Sequence, residues 1–427
     1  MSLSRRQWLR FSGLSALGLS ARSEAAPADD VPAPIAALQR RTEGVTPIAV
    51  EERRDRIARA QALMASEGID AIVLASGTSL VYFTGAEWGS SERFFGAVLT
   101  REGDPAWVTP AFEKSRALEQ VRIGSDVRAW EEDESPYAAV AGILRDRKAA
   151  AGRIGVEETM PFVFVDGVAK SVPAARLVSA TPVTAGCRMI KDAHELALMR
   201  RACETTLRAH RAVFASLVEG TTQAEASRWC NEAHRRLGMP GGALVLFGAD
   251  AAFPHGTTKP RPLRAGDVVL IDGGGRLHGY ASDITRTGVF AAAPTARQRT
   301  VWDVVRRAQE AAFRAARPGA PAESVDAAAR KVIEDAGFGP GYRYFTHRLG
   351  HGIGMDGHEW TYLVRGNTTP LRPGMCFSDE PGIYVPGELG VRHEDIITIT
   401  ADAAANLTPW SGTPEDPAVV ETVMTHP

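Results

Sequence analysis

The chain lacks the features that would place it in a membrane, on nucleic acid or in a disulfide scaffold. Across 427 residues there is no run of ~18 uninterrupted apolar residues, so a spanning helix is not expected. Lys and Arg total 49 against 51 Asp and Glu. A net charge of −2 gives no reason to expect nucleic acid or an anionic membrane as partner. Only four cysteines occur, Cys187, Cys203, Cys230 and Cys376, and none forms a CxxC pair. They are expected to be mostly buried free thiols, with at most one bridge among them. Gly273-Gly274-Gly275 lacks the following helix that a phosphate loop needs, and it joins two strand-like runs instead.

What is present starts with an export signature. Ser4-Arg5-Arg6-Gln7-Trp8-Leu9-Arg10 is similar to a twin-arginine signal. A mildly apolar stretch and small residues near Ala25-Ala26 follow, which is the order of an export peptide. A signal peptide over 1–26 and a periplasmic location are therefore expected. Residues 27–47, rich in Ala, Pro and charge, read as a linker that adds nothing to the fold.

The length predicts two domains. Residues 48–185 read as an α/β domain, with strands near 69–74, 94–99 and 106–109 and helices near 53–67, 136–149 and 158–170. Residues 186–427 read as a second, α+β domain. Asp192 with Glu195 is a capping-box-like helix start, and that helix is predicted to run to Val218. Further helices are predicted over 223–237, 296–316 and 324–336, alternating with strand hairpins. His194, His210, His234 and His278 fall outside any motif and read as surface or helix residues.

Five residues carry the chemistry: Asp272, Asp283, His351, Glu380 and Glu394. They stand in the phrases VVLIDGGG, YASDITRT, HRLGHGIG, FSDEPGIY and GVRHED. A hairpin centred between Leu277 and His278 would set Asp272 directly opposite Asp283. A second one, centred on Gly387, would set Glu380 opposite Glu394. Glycines on both sides of His351 would let backbone approach closely. Four clustered carboxylates repel one another, and two divalent cations would balance them. An oxygen-rich set with one imidazole and no sulfur favours manganese, with cobalt, iron or zinc as alternatives.

These phrases resemble metallopeptidase family M24, the pita-bread metallopeptidases, in its Xaa-Pro branch of prolidases and Xaa-Pro aminopeptidases. Tyr82-Phe83-Thr84-Gly85, Arg153-Ile154-Gly155-Val156-Glu157 and Arg188-Met189-Ile190-Lys191 resemble its creatinase/prolidase-type N-terminal domain and linker. The resemblance implies a pita-bread catalytic domain and hydrolysis of Xaa-Pro bonds by a hydroxide bridging two metals. It implies that Asp272, Asp283, His351, Glu380 and Glu394 are metal ligands, and that Glu380 also acts as acid/base. It gives His255 to the tetrahedral intermediate and His358 to the substrate near the scissile bond. It assigns Tyr384 and Arg392 to holding the peptide and assisting the reaction, and His347 to the substrate pocket. It also implies a peptide with proline in second place as substrate, and a homodimer formed through the N-terminal domain. Two positions depart from the family's commoner form. His393 stands between Arg392 and Glu394, and Trp360 follows Glu359; both are expected to reshape the pocket.

Two rival readings remain at this level. One keeps the fold but cleaves another small-molecule C–N bond, as an ectoine hydrolase does. The other is a binding protein that has lost catalysis; it would be expected to lack ligands, and none is missing here.

Overall fold

The structure, a computed structural model, describes residues 31–419. The signal peptide expected over 1–26, and the first residues of the expected linker, lie outside the described residues. The rest of that linker is not a free tether. It forms helix α1 (Ala33–Ala36), and Ile35 is fully buried beside Val213, Ala233 and Leu237. Arg41 N–H donates to the Leu237 carbonyl at 2.9 Å. One isoleucine among alanines and prolines has no periodicity, so its burial left no pattern to read.

The N-terminal domain follows as α2 (Val50–Glu67), β1 (Ala71–Ala75), α3 (Thr78–Thr84), β2 (Gly96–Thr100), β3 (Ala106–Pro110), α4 (Lys114–Gln120), β4 (Val127–Trp130), α5 (Pro136–Asp146), β5 (Arg153–Val156), α6 (Phe162–Ser171), β6 (Arg176–Ser179) and α7 (Thr181–Arg188). Its sheet has the order β4-β3-β2-β1-β5-β6. All five residues of the central β1 are buried, as expected for a strand covered on both faces. Val140, Leu144, Phe164 and Val168 cover one face. Ile57, Met64, Leu80 and Phe83 belong to a cluster that continues into Leu198, Tyr280, Ile284 and Ile353, so one apolar core crosses the domain junction. The boundary expected at 185/186 falls inside α7, whose Val183 and Cys187 are buried in that same cluster. That helix ends at Arg188, at the junction of the two domains.

The second domain opens with α8 (Ala193–Phe214). Asp192 accepts from Glu195 N–H at 2.8 Å and Glu195 accepts from Asp192 N–H at 2.9 Å, a complete capping box. The helix stops at Phe214 rather than Val218, because Ser216 N–H turns back to the Val213 carbonyl at 2.9 Å. Then come α9 (Gln223–Leu237), β7 (Gly241–Phe247), β8 (Val268–Leu277), β9 (Tyr280–Ala281) and β10 (Ile284–Val289). After α10 (Ala296–Ala315) and α11 (Ala322–Asp335) the chain forms β11 (Gly350–Gly352), β12 (Glu359–Leu363), β13 (Cys376–Asp379), β14 (Gly382–Val385), β15 (Leu389–Arg392), β16 (Asp395–Ile399) and β17 (Ala404–Asn406). Two sheets, β10-β8-β7 and β12-β11-β13-β16-β17, meet at a single bridge between Thr285 and Glu394. Among the described residues no helix is long and apolar enough to cross a membrane. All four cysteines are buried and free.

Behind that bridge lies a fully buried ion pair, Arg286 to Asp395 at 2.6 Å. Arg286 also donates to the carbonyls of Glu394 (2.9 Å) and Pro409 (2.8 Å). Asp395 accepts in addition from Thr408 at 2.8 Å and Gln309 at 3.0 Å. Arg286→Met would leave the Asp395 charge buried with neutral partners only. It is expected to cost about 3–5 kcal/mol in urea unfolding. An unchanged unfolding midpoint would show that the pair does not hold the two sheets together.

Candidate metal centre

Two of the five ligand candidates lie on strands, and three lie where a strand ends or is interrupted. Asp272 lies within β8, Asp283 in the gap between β9 and β10, and His351 on β11. Glu380 directly follows β13, and Glu394 lies between β15 and β16. The second hairpin has the expected register: Gly382 pairs with Arg392 and Asp379 with Asp395, which sets Glu380 opposite Glu394. The first does not. His278 (φ 48°) and Gly279 (φ 90°) form a two-residue turn of the primed type, closed by Leu277 and Tyr280. The turn centre thus lies one residue later than expected, and Asp272 pairs with Thr285 instead of Asp283. A one-residue shift of the centre moves the partner by two. Asp283 therefore stays on the same face as Asp272, as its diagonal neighbour.

The glycines beside His351 have a packing reason. A Cβ on Gly350 would stand 2.0 Å from the Ser378 carbonyl oxygen. That close approach lets Ser378 Oγ accept from His351 N–H at 3.0 Å, and Ser378 in turn donates to Glu380 at 3.1 Å.

Three overlapping groups of possible ligand atoms result: Asp283, His351 and His358; His351, Glu380 and Glu394; Asp272, Asp283 and Glu394. Within each group the atoms lie within 4.8 Å of one another. His351 Nδ1–H donates to the Gly352 carbonyl at 3.0 Å, which leaves Nε2 with a free lone pair. Burial, with His358 beside it, holds His351 down at about 3, so the ring is neutral as a ligand must be. Burial, together with Asp272 and Glu380, pushes the Asp283 carboxyl well up. Burial and Glu394 do the same to Glu380; burial, Asp283 and Asp272 do so to Glu394. One cation on the protein side, Arg392, touches the set, bonding Asp272 at 2.5 Å. The donor set fits hard divalent cations: it is oxygen-rich, short of positive charge and completed by a neutral imidazole.

These residues line a cavity of about 380 Å³ that also holds His255, His347, Arg348, His358 and Arg392 in its walls. His255 and His358 are exposed at it, and the His358 ring stacks on His351 with centroids 3.8 Å apart. Arg348 donates to His358 Nδ1 at 3.2 Å. Arginine only donates, so His358 carries its proton on Nε2.

A second chain of bonds braces the floor. His347 Nδ1–H donates to the Arg348 carbonyl at 2.8 Å, and its Nε2 accepts from the Tyr384 hydroxyl at 2.8 Å. Tyr384 accepts in turn from Arg392 at 2.8 Å. Arg392 also donates to Thr285 Oγ1 at 3.1 Å. The Thr285 hydroxyl lies 2.8 Å from Asp272 and 2.6 Å from Glu394, and its single proton serves one of them at a time. Arg392 is buried, and every arm of its fork is engaged within the protein. Tyr384 is likewise buried and reaches the cavity only through His347 and Arg392. Burial pushes its phenol up to about 12, so it stays protonated.

Two expectations about the pocket are corrected. His393 points away from it, with its ring on Trp302 (4.4 Å between centroids) and Nδ1 3.3 Å from Ser411 Oγ. Strand alternation requires this, since Arg392 and Glu394 both face the cavity. Trp360 lies on the wall of a neighbouring cleft, not of this cavity. His210 and His234, expected to be surface or helix residues, are helix residues, and both are fully buried on α8 and α9. Thr285 and Arg348 also belong to the site, and both stand inside the motif phrases themselves, though neither is a metal-ligand type.

The model for metallopeptidase family M24 matches residues 197–401, and that for the creatinase/prolidase N-terminal domain matches 56–190. The chain is 38% identical over 358 residues to a probable dipeptidase PepE of Mycobacterium tuberculosis, covering 82% of this chain and 93% of that one. It is 31% identical over 348 residues to an Xaa-Pro dipeptidase of Pyrococcus horikoshii, covering 81% and 94%. The crystal structure of dipeptidase PepE from Mycobacterium ulcerans superposes with a TM-score of 0.79 at 35% identity, over 85% of this chain and 97% of that chain.

Proposed function

The chain belongs to metallopeptidase family M24, and from that premise we propose that it hydrolyses Xaa-Pro bonds, with dipeptides as main substrates. One observation carries the reading: four carboxylates and a neutral imidazole converge in a cavity whose rim holds two further histidines. The names of the relatives favour this over hydrolysis of another C–N bond. Two divalent ions, manganese first, would be held by Asp272, Asp283, His351, Glu380 and Glu394. Export by the twin-arginine route to the periplasm and homodimerisation belong to the same proposal.

When bound, the ions supply Lewis acidity to the scissile carbonyl and bring water to a reactive protonation state at neutral pH. The remaining chemistry falls to side chains. Glu380 takes a proton from the attacking water and passes it to the departing imide nitrogen, which carries no hydrogen of its own in an X–Pro bond. His358, protonated on Nε2, donates to the substrate carbonyl or carboxylate, and His255 steadies the tetrahedral centre. Arg392, Tyr384 and His347 fix the cavity floor, and Thr285 spaces Asp272 from Glu394.

The test is proline release by the full chain from Xaa-Pro dipeptides and from longer Xaa-Pro peptides, with and without chelator. Chelator-sensitive release from dipeptides is the expected result. Equal cleavage of longer peptides would move the assignment to an aminopeptidase, and no release from any of them would move it to a non-peptide substrate.

A further inference from the structure

We propose that Arg188, the last residue of α7 at the domain junction, is a positioning residue that sets His358 at the rim of the catalytic cavity by gripping Glu359. The loop that delivers His358 is wrapped around the next side chain. Glu359 accepts from the N–H groups of Met355 (3.0 Å) and Asp356 (3.2 Å) of its own loop. Its remaining partners are cations from the domain junction: Arg188 at 2.7 Å and Lys191 at 3.0 Å. Arg188 also bonds the Asp356 carboxylate, whose other oxygen accepts from Thr78 of α3 at 2.6 Å. The far arm of Arg188 reaches Ser79 Oγ at 3.4 Å. Thr78 and Arg188 thus hold the loop on both sides of His358, at Asp356 before it and at Glu359 after it.

The charges make this grip obligatory. Arg188, Lys191 and Glu359 are all buried, so each depends on the others for neutrality. Burial alone would raise the Glu359 carboxyl, but Lys191 and Arg188 hold it down at about 2. Arginine suits the position because its planar fork spans Asp356, Glu359 and Ser79 at once, which an ammonium on a flexible stem does not. His358 is covalently next to Glu359, stacks on His351 and takes its tautomer from Arg348. A small swing of the loop would therefore move the Nε2–H away from the substrate without touching any carboxylate ligand.

The catalytic part of this inference rests on the proposed Xaa-Pro hydrolysis, and its structural part does not. Arg188→Met keeps the length and loses the fork, while Lys191 still neutralises Glu359. In the full metal-loaded enzyme it is expected to lower kcat by about 10–100-fold with a change in KM of no more than about threefold, the pattern of a misplaced catalytic group. Arg188→Lys should restore part of kcat. The decisive comparison is made in a His358→Ala background, where Arg188→Met should cost less than about twofold, because the group it positions is gone. Hydrogen exchange gives a readout that needs no substrate. Peptides covering 353–363 should lose protection in Arg188→Met, while β1 to β6 stay protected. Glu359→Gln should reproduce both effects, and it serves as the second probe if Arg188→Met folds poorly. Equal losses in the presence and absence of His358, or unchanged exchange over 353–363, would overturn the proposal. Wild-type protein that releases no proline would overturn the proposed function alone, and exchange would still decide whether Arg188 holds the loop.

Discussion

Asp283→Ala is expected to lose turnover by at least about a thousandfold, equivalent to ~4 kcal/mol of transition-state stabilisation. The same substitution should raise the stability of the metal-free protein. Asp283 stands in two of the three overlapping ligand groups, so its loss damages both ends of the site. The second effect follows from the charge. Burial and the Asp272 and Glu380 carboxylates make ionised Asp283 unfavourable in the fold. Without cations to offset it, removing the carboxylate relieves repulsion and desolvation together. A gain of about 1–2 kcal/mol in urea unfolding of stripped protein is expected, the usual size of a stabilising substitution. The N-terminal sheet lies outside the site and should be unaffected. Retention of full turnover would remove Asp283 from the mechanism. A loss of stability in the stripped state would show that its role is structural.

Stabilisation by divalent cations should grow with pH, the second large effect. Asp283, Glu380 and Glu394 all hold protons more tightly than ordinary carboxyls in the metal-free fold. Binding a cation must displace those protons, so raising the pH favours the loaded form. The sign is the reverse for the empty site. A carboxyl whose folded pKa is raised makes the fold less stable as pH climbs above the unfolded value near 4. Buried His347 and His351 oppose that trend, since both are held near 3 by burial and would take up protons only on unfolding below about 6.5. The clean quantity is therefore the difference between loaded and stripped protein at one pH. With manganese at a thousandfold excess over Kd that difference should reach ~4 kcal/mol for each ion bound near pH 8 and shrink toward pH 6. Thermal melts at both values, with release of protons on titration, measure it. A difference that does not change with pH would mean the carboxyls are not the ligands.

Much of the centre could be read from the chain because its two hairpins obey simple counting. The turn at Gly387 has its centre where glycine predicts it, and Glu380 meets Glu394. The earlier turn misled by one residue because His278 takes a left-handed conformation that non-glycine residues seldom adopt. The error was harmless only because pairing shifts by two and keeps the face. Thr285 and Arg348 were passed over since neither is a usual metal ligand; their work is to orient the ligands and His358, which spacing alone does not reveal. Alternation along the strand already places His393 on the face opposite Arg392 and Glu394. Ile35 and the Arg188 grip depend on contacts between segments far apart in the chain, and no local period encodes those.

The central claim is that this cluster binds divalent cations and that turnover depends on them. The most direct measurement is a manganese titration of the stripped full chain near pH 8, following bound ion and proline release from an Xaa-Pro dipeptide together. Binding of two ions per chain, with release returning as the sites fill, is the expected result. Proline release that survives complete stripping, or a chain that binds no cation, would contradict it.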